Sequence, residues 1–182
     1  MNKSQNKVFV ATSLDGYIAD KNGYIDWLQS IPNPKQIDMG YSDFMNDIDA
    51  VVMGRNTFET VRGMDIPWPY DKFVFVLSRR QNIVPGKLRG RVELINGPLQ
   101  EVIKRIHDRG YHRLYIDGGV TIQSFLKENL IDEITITIIP VLLGAGIPLF
   151  GHLEKPIMFK CAETKIYLDG LVQNRFVLAS ND

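Results

Sequence analysis

Apolar residues fall along this chain in two rhythms. Short continuous runs, VVM at 51–53, FVFVL at 73–77 and LYI at 114–116, are rich in branched and aromatic side chains. Runs of that kind suit strands buried on both faces, as in a parallel sheet. Strand-like segments are predicted at 7–14, 48–54, 72–78, 91–95, 112–117 and 132–143, with two more at 158–167 and 171–179. Helical stripes lie between them. Leu99, Val102, Ile103 and Ile106 recur at i, i+3, i+4 and i+7, the spacing of a helix packed on a sheet. Pro98 suits the first helical position and Gly110 the stop. Residues 120–129 repeat the stripe with Ile122, Phe125 and Leu126 inward, and 56–61 and 41–46 are shorter candidates.

From residue 48 to about 130 strands and helices alternate, the order of right-handed crossovers over a parallel sheet. After that strands follow one another, and Asp169-Gly170 marks a hairpin turn between the last two. The predicted fold is α/β, a mixed and mostly parallel sheet with antiparallel strands at its C-terminal end. Nothing divides the pattern, so residues 1–182 are expected to form a single domain.

Composition narrows the function. The 21 basic and 21 acidic residues cancel, which gives no electrostatic footprint for nucleic acid. One cysteine, Cys161, fits a reducing cytoplasm. The apolar start is cut by Asp15 and Gly16, too early for a signal peptide or a membrane span. No metal-ligand pattern stands out.

Three places share one arrangement: VVMGRNTF at 51–58, FVLSRR at 75–80 and YIDGGVT at 115–121. In each a buried strand ends, small or basic residues follow, and a helix or loop begins. Open α/β sheets bind ligands outside the carboxyl ends of their strands. Gly54 lets the backbone approach a ligand. Thr57 falls in the first turn of a helix, where free N–H groups favour phosphate. Arg55, Arg79 and Arg80 are able to make bidentate bonds to phosphate, and Ser78 adds a hydroxyl. Gly118 and Gly119, before a helix near Val120, form a second cradle. Taken singly, each has a plainer reading: a turn glycine, a solvated arginine, a helix-start threonine. Their coincidence at equivalent strand ends points to the two ends of a dinucleotide.

Together with VFVATSLDGYIADKNGYIDW and DEITITIIPVLLGAGIPLF, these segments resemble the dihydrofolate reductase superfamily. The similarity is to its branch containing the reductase domain of riboflavin biosynthesis, and it runs in order along essentially the whole chain. The resemblance implies a dihydrofolate-reductase-like three-layer α/β/α fold with about eight strands, a homodimer, and extended NADPH. It places Gly54, Arg55 and Thr57 at the cofactor phosphates, Ser78 and Arg79 at the adenosine 2′-phosphate, and Gly118, Gly119, Val120 and Thr121 along the pyrophosphate. Ala11 and Ile18 would pack on the nicotinamide, with Ser13 nearby. Trp27 would stand at the mouth of that site after a mobile loop at about 19–26, though it reads equally as a core aromatic. A cis peptide between Gly118 and Gly119 is also implied.

On the substrate side, Asp117 occupies the position of an acid that faces the substrate in this branch; its plainer reading is a capping acid. The implied activity is hydride transfer from NADPH to 5-amino-6-(5-phosphoribosylamino)uracil or an analogue. Dihydrofolate reductases carry a carboxylate shortly after the active-site Trp, whereas Pro32 stands five residues after Trp27, which disfavours a pterin substrate. A nucleotide-binding module without chemistry is the non-enzyme alternative. The acidic pair, Pro and basic residue that usually follow the phosphate-site Thr are absent from NTFETVRGMDIPWPY. The identity of the substrate therefore stays open. LLGAGIPLFG at 142–151 reads as a loop near the substrate edge or a subunit contact.

Overall fold

The computed structural model describes residues 4–79, 84–168 and 170–179. In chain order the elements are β1 Gln5–Ser13, β2 Tyr17–Asp20, α1 Tyr41–Asn46, β3 Ala50–Gly54, α2 Arg55–Gly63, β4 Phe73–Leu77 and β5 Val92–Ile95. They continue with α3 Leu99–His107, β6 Arg113–Asp117, α4 Gly119–Lys127, β7 Glu133–Ile139, β8 Gly146–Pro148, β9 Phe159–Tyr167 and β10 Leu171–Leu178. Short 3-10 turns lie at Asp26–Ser30 and Gly86–Leu88.

Eight strands form one sheet in the order β5-β4-β3-β6-β1-β7-β10-β9. The pairs from β5 to β7 are parallel, and β10 runs antiparallel to both β7 and β9. The fold class read from the sequence is thus the one observed, with the eight predicted strands in the sheet. The turn between the last two strands includes Asp169, which lies outside the described residues. Among the described residues, no helix is long and apolar enough to cross a membrane.

The continuous apolar runs are explained by cover on both faces. On one, Val52, Phe75, Leu114 and Ile116 pack with Val102, Ile103 and Ile106 of α3 and Ile122 and Phe125 of α4. On the other, Val51, Met53, Val74, Val76 and Tyr115 pack with Met45 of α1 and Phe58 of α2. Alternation along β6 therefore sends Tyr115 and Asp117 toward the α1/α2 face. The neighbouring strands β3 and β6 send the chain in opposite directions across the sheet: β3 leads to β4 on one side, and β6 leads to β7, beyond β1, on the other. That is a topological switch point, with its crevice at the strand carboxyl ends.

Two features were not legible in the pattern. β2 and β8 form a separate antiparallel ribbon, Ala19 opposite Ile147. At four and three residues they are too short for a periodicity to show. The Gly118–Gly119 bond is trans, since no described peptide bond is cis, contrary to the expectation from the resemblance. The chain turns there through Gly118 at φ 90 and ψ 132, a conformation open to glycine without strain. Residues 19–26, expected as a mobile loop, begin with the end of β2. There the Asp20 carboxylate accepts from the Asn22 and Tyr24 amides at 2.7 and 2.9 Å.

Candidate functional site

The carboxyl ends of β4, β3 and β6, three adjoining strands, open on one cavity of about 810 Å³. Parallel register brings them level: Gly54 lies opposite Leu77, and Met53 opposite Asp117. Ile18, Gly54, Arg55, Thr57, Ser78, Arg79 and Asp117 through Thr121 all line it. The three motifs, spread over residues 51–121, thus meet because each ends a neighbouring strand. Arg80 lies outside the described residues.

Two helices, α2 and α4, start at this cavity. Each is nine residues long, has a glycine at its N-cap, and makes no side-chain capping hydrogen bond. The N–H groups of a helix's first turn have no acceptor within the helix, and the helix dipole adds partial positive charge there. One guanidinium nitrogen of Arg55, Nη1, is buried without a hydrogen-bond partner, while Nη2 stands 3.8 Å from Glu59. At the opposite edge of the sheet the charges are matched within the protein. There Arg113 reaches Asp47 and Asp49, each at 2.7 Å, and Lys7 reaches Asp47 at 2.7 Å. A half-buried arginine with one buried, unpartnered nitrogen beside two uncapped helix starts is a donor set suited to an anion.

The glycines act differently from the sequence expectation. A Cβ on Gly54 would sit 2.7 Å from Thr121 Oγ1, and one on Gly118 would sit 2.1 Å from Thr57 Oγ1. One on Gly119 would meet Ile18 Cδ1 at 2.5 Å. Each helix start thus receives the threonine of the other. The side-chain space at these glycines is filled by protein, while Arg55, Thr57 and Thr121 still line the cavity.

Asp117 lies half-buried at the end of β6. The Tyr70 hydroxyl donates to its Oδ2 at 2.9 Å. Tyr70 is itself buried, its carbonyl accepting from Arg91 Nη2 at 2.7 Å and its ring edge-on to Trp68. Burial pushes the Asp117 carboxyl above its ordinary 3.8, opposed by hydrogen bonds from Tyr70 and the Gly118 amide. Burial, with Asp117 and Asp71 nearby, also pushes Tyr41 up to about 12. A carboxyl held toward its neutral form in a cleft is a proton-donor candidate. Tyr70 had no signal in the sequence, since it follows PWP in a loop 47 residues before its partner.

Three other predicted residues lie away from this cavity. Ala11 faces a second cavity, of about 510 Å³, with Phe9 and Ile139. Ser13 is buried at the end of β1, donating to Asp15 Oδ1 at 2.6 Å and accepting from the Tyr17 amide at 3.0 Å. Trp27 is half-buried in the 3-10 turn and lines neither cavity; its indole Nε1 is buried without a partner. Its neighbours divide between the two, Ile25 facing the larger and Leu28 the smaller. The glycine-rich segment at 142–151 contributes β8, whose Ile147 lines the larger cavity; Asp15 holds the segment through the Leu143 and Gly144 amides.

Open α/β sheets bind their ligands in strand-edge cavities of this kind. The chain matches the RibD C-terminal domain over residues 7–172 and belongs to that family. It is 37% identical over 168 residues to the uncharacterised protein YwjB of Bacillus subtilis, covering 91% of this chain and 90% of that one. It is 31% identical to YyaP of the same organism, covering 94% and 95%. A solved structure from Shewanella sp. PV-4, provisionally described as a riboflavin biosynthesis protein, is 49% identical with a TM-score of 0.94, covering 97% of this chain and 99% of that one. The Thermotoga maritima diaminohydroxyphosphoribosylaminopyrimidine deaminase/5-amino-6-(5-phosphoribosylamino)uracil reductase shares the fold at 16% identity and a TM-score of 0.74. This chain is covered to 97% there, and that chain to 57%.

The Tyr70–Asp117 contact gives one expectation for pH. The Tyr70 bond favours the ionised carboxylate, so Tyr70→Phe is expected to move the Asp117 pKa further upward. If Asp117 donates a proton, turnover in the variant persists to higher pH before falling. The pH profile of kcat for the two proteins checks this, and a descending limb displaced to lower pH would refute it.

Proposed function

We propose that this chain is an NADPH-dependent reductase that delivers hydride to a small heterocycle of the ribosylaminopyrimidine type. One observation supports it above the others: two uncapped helix N-termini and a buried Arg55 nitrogen without a partner open on the same strand-edge cavity. Membership of a reductase-domain family agrees with this. A partial relative, matched over 86 residues at 29% identity, is the Methanothermobacter thermautotrophicus 2,5-diamino-6-ribosylamino-4(3H)-pyrimidinone 5′-phosphate reductase.

In this reading Arg55, Thr57 and the first-turn amides of α4 hold the cofactor phosphates, and Ser78 and Arg79 take the 2′-phosphate. When bound, NADPH supplies a hydride from its reduced nicotinamide ring. The chain's own contribution is placement and a proton. Ile18 offers apolar contact beside Gly119. Asp117, steadied by Tyr70, donates to the acceptor once it has gained negative charge. A pterin reading is less well supported, because the acid nearest after Trp27 on the facing loop, Asp38, is spent on the Gly40 and Ser42 amides at 3.0 Å each.

Arg55→Ala tests the cofactor role. Hydrogen bonds to charged groups contribute about 1.5–3 kcal/mol, so NADPH affinity is expected to fall about 10- to 100-fold. Calorimetric titration measures it, and an affinity within about twofold of the parent would remove Arg55 from the site.

A further inference from the structure

The second cavity shares β1 with the first: Val10 lines the larger and Ala11 the smaller, and Ile25 and Leu28 divide between them in the same way. It lies on the sheet face that carries Phe9, and Tyr115, two positions before Asp117 on β6, donates to the Phe9 carbonyl at 3.0 Å. At about 510 Å³ it falls within the range of sites that enclose small molecules. Its walls are chiefly apolar, with Leu28, Ile31 and Met39 on the loop side and Phe9 and Ile139 on the sheet side.

The charge in it has one sign. No Lys, Arg or His lines it among the described residues, and the one charged lining group is Asp38. Hydrogen bonds from the Ser42 side chain and from the Ser42 and Gly40 amides hold the Asp38 carboxyl below its ordinary value. It is therefore an anion at neutral pH. Arg62, Arg91 and Lys35 do not line it. Arg62 is bound to Glu59 by two bonds of 2.5 and 2.9 Å. Arg91 donates to the Tyr70 carbonyl. Lys35, on the loop that covers the cavity, is exposed and does not line it. A phosphate brought here would lose water, gain no cation, and meet a carboxylate. A flat uncharged ring would bury apolar surface against Phe9, Leu28 and Ile139 and keep polar edges toward Thr137 and Gln29.

We infer that the acceptor reduced by this chain carries no phosphate: it is a pyrimidine-type base or nucleoside, seated in the cavity between β1, β7 and the loop at 28–39. This rests on the reductase reading and narrows it. Arg62, the first basic residue after Thr57, lines neither cavity, an observation separate from the anionic cavity and with the same consequence.

The test compares 2,5-diamino-6-ribosylamino-4(3H)-pyrimidinone 5′-phosphate with the same compound after phosphatase treatment. Each is offered to the full chain with NADPH, and NADPH binding is titrated on the same sample. The dephosphorylated compound is expected to be reduced with kcat/KM at least about 10-fold higher, the scale of one unfavourable charge contact. Asp38→Asn, which removes the charge and keeps one of the two oxygens that accept from Gly40 and Ser42, is expected to bring the ratio toward unity. A phosphorylated compound reduced equally well or better, or reduction of neither, would overturn the inference. NADPH binding that persists in those cases leaves the cofactor assignment standing, whereas failure to bind NADPH removes the reductase reading first.

Discussion

Asp117→Asn is expected to lower turnover about 10²- to 10⁴-fold, the usual contribution of a positioned general acid, with NADPH affinity little changed. The amide keeps the shape of the carboxyl and an oxygen for the Tyr70 hydroxyl, so the site should hold its geometry. What it lacks is a proton to give. The same change separates chemistry from folding. Burial raises the Asp117 pKa in the folded protein above its ordinary 3.8. The folded state therefore holds that proton more tightly than the unfolded chain. Its stabilising contribution is full below the unfolded value and is lost as pH rises through the folded one. Above the folded value the ionised group is a burden on the fold, and the neutral amide removes it. Thermal unfolding of Asp117→Asn should come at the parent temperature or above it, while single-turnover NADPH oxidation slows. A variant that keeps parental turnover would show that Asp117 is a capping acid, the plainer of its two readings.

Gly118→Ala carries the largest expected loss of stability. Gly118 has φ 90, and the added methyl would lie 2.1 Å from Thr57 Oγ1 and 3.2 Å from Thr57 Cβ. Backbone strain at such a φ and forced overpacking each cost about 1–3 kcal/mol, so a total near 3 kcal/mol is expected. For a chain of this size that lowers Tm by about 10 °C. Thr57→Ala in the same protein removes the contacting hydroxyl and should recover the steric share but leave the strain. Denaturant unfolding of the two single variants and the double variant measures that coupling. Strictly additive effects would show that the two helix starts do not interlock as described. Because α2 and α4 are set against each other through Gly54, Thr57, Gly118 and Thr121, NADPH binding should weaken along with stability in Gly118→Ala.

The sheet was readable because its strands are unusually plain. FVFVL and LYI admit few other readings, and helix α3 shows its stripe and its stop. The site was readable in outline for a related reason: each motif sits where an apolar run ends, and parallel strands bring such ends to one edge. The details were hidden where the physics is tertiary. Nothing local says that Thr57 fills the space at Gly118, or that Tyr70 crosses to Asp117, because both contacts depend on how α2 and its following loop pack over the sheet. The division of Val10 and Ala11 between two cavities follows from strand alternation, but which face held which cavity depended on the loop at 28–39, whose IPNPKQ gives only a surface-loop signal. The expected cis bond came from resemblance alone, and here the turn is made by φ at Gly118. Trp27 shows the same limit: its position beside the nicotinamide was implied by likeness, and the side chain lines neither cavity.

The central claim is that the strand-edge cavity holds NADPH, with Ser78 and Arg79 reading the 2′-phosphate that distinguishes it from NADH. Titration of the full chain with each cofactor, followed by quenching of Trp27 and Trp68 fluorescence, tests it most directly. The structure gives the signal a source, since Trp68 packs on Tyr70 and Phe58 behind the cavity. NADPH is predicted to bind at least about 10-fold more tightly than NADH, the scale of one charge-assisted contact. Equal and weak affinity for both would contradict the account.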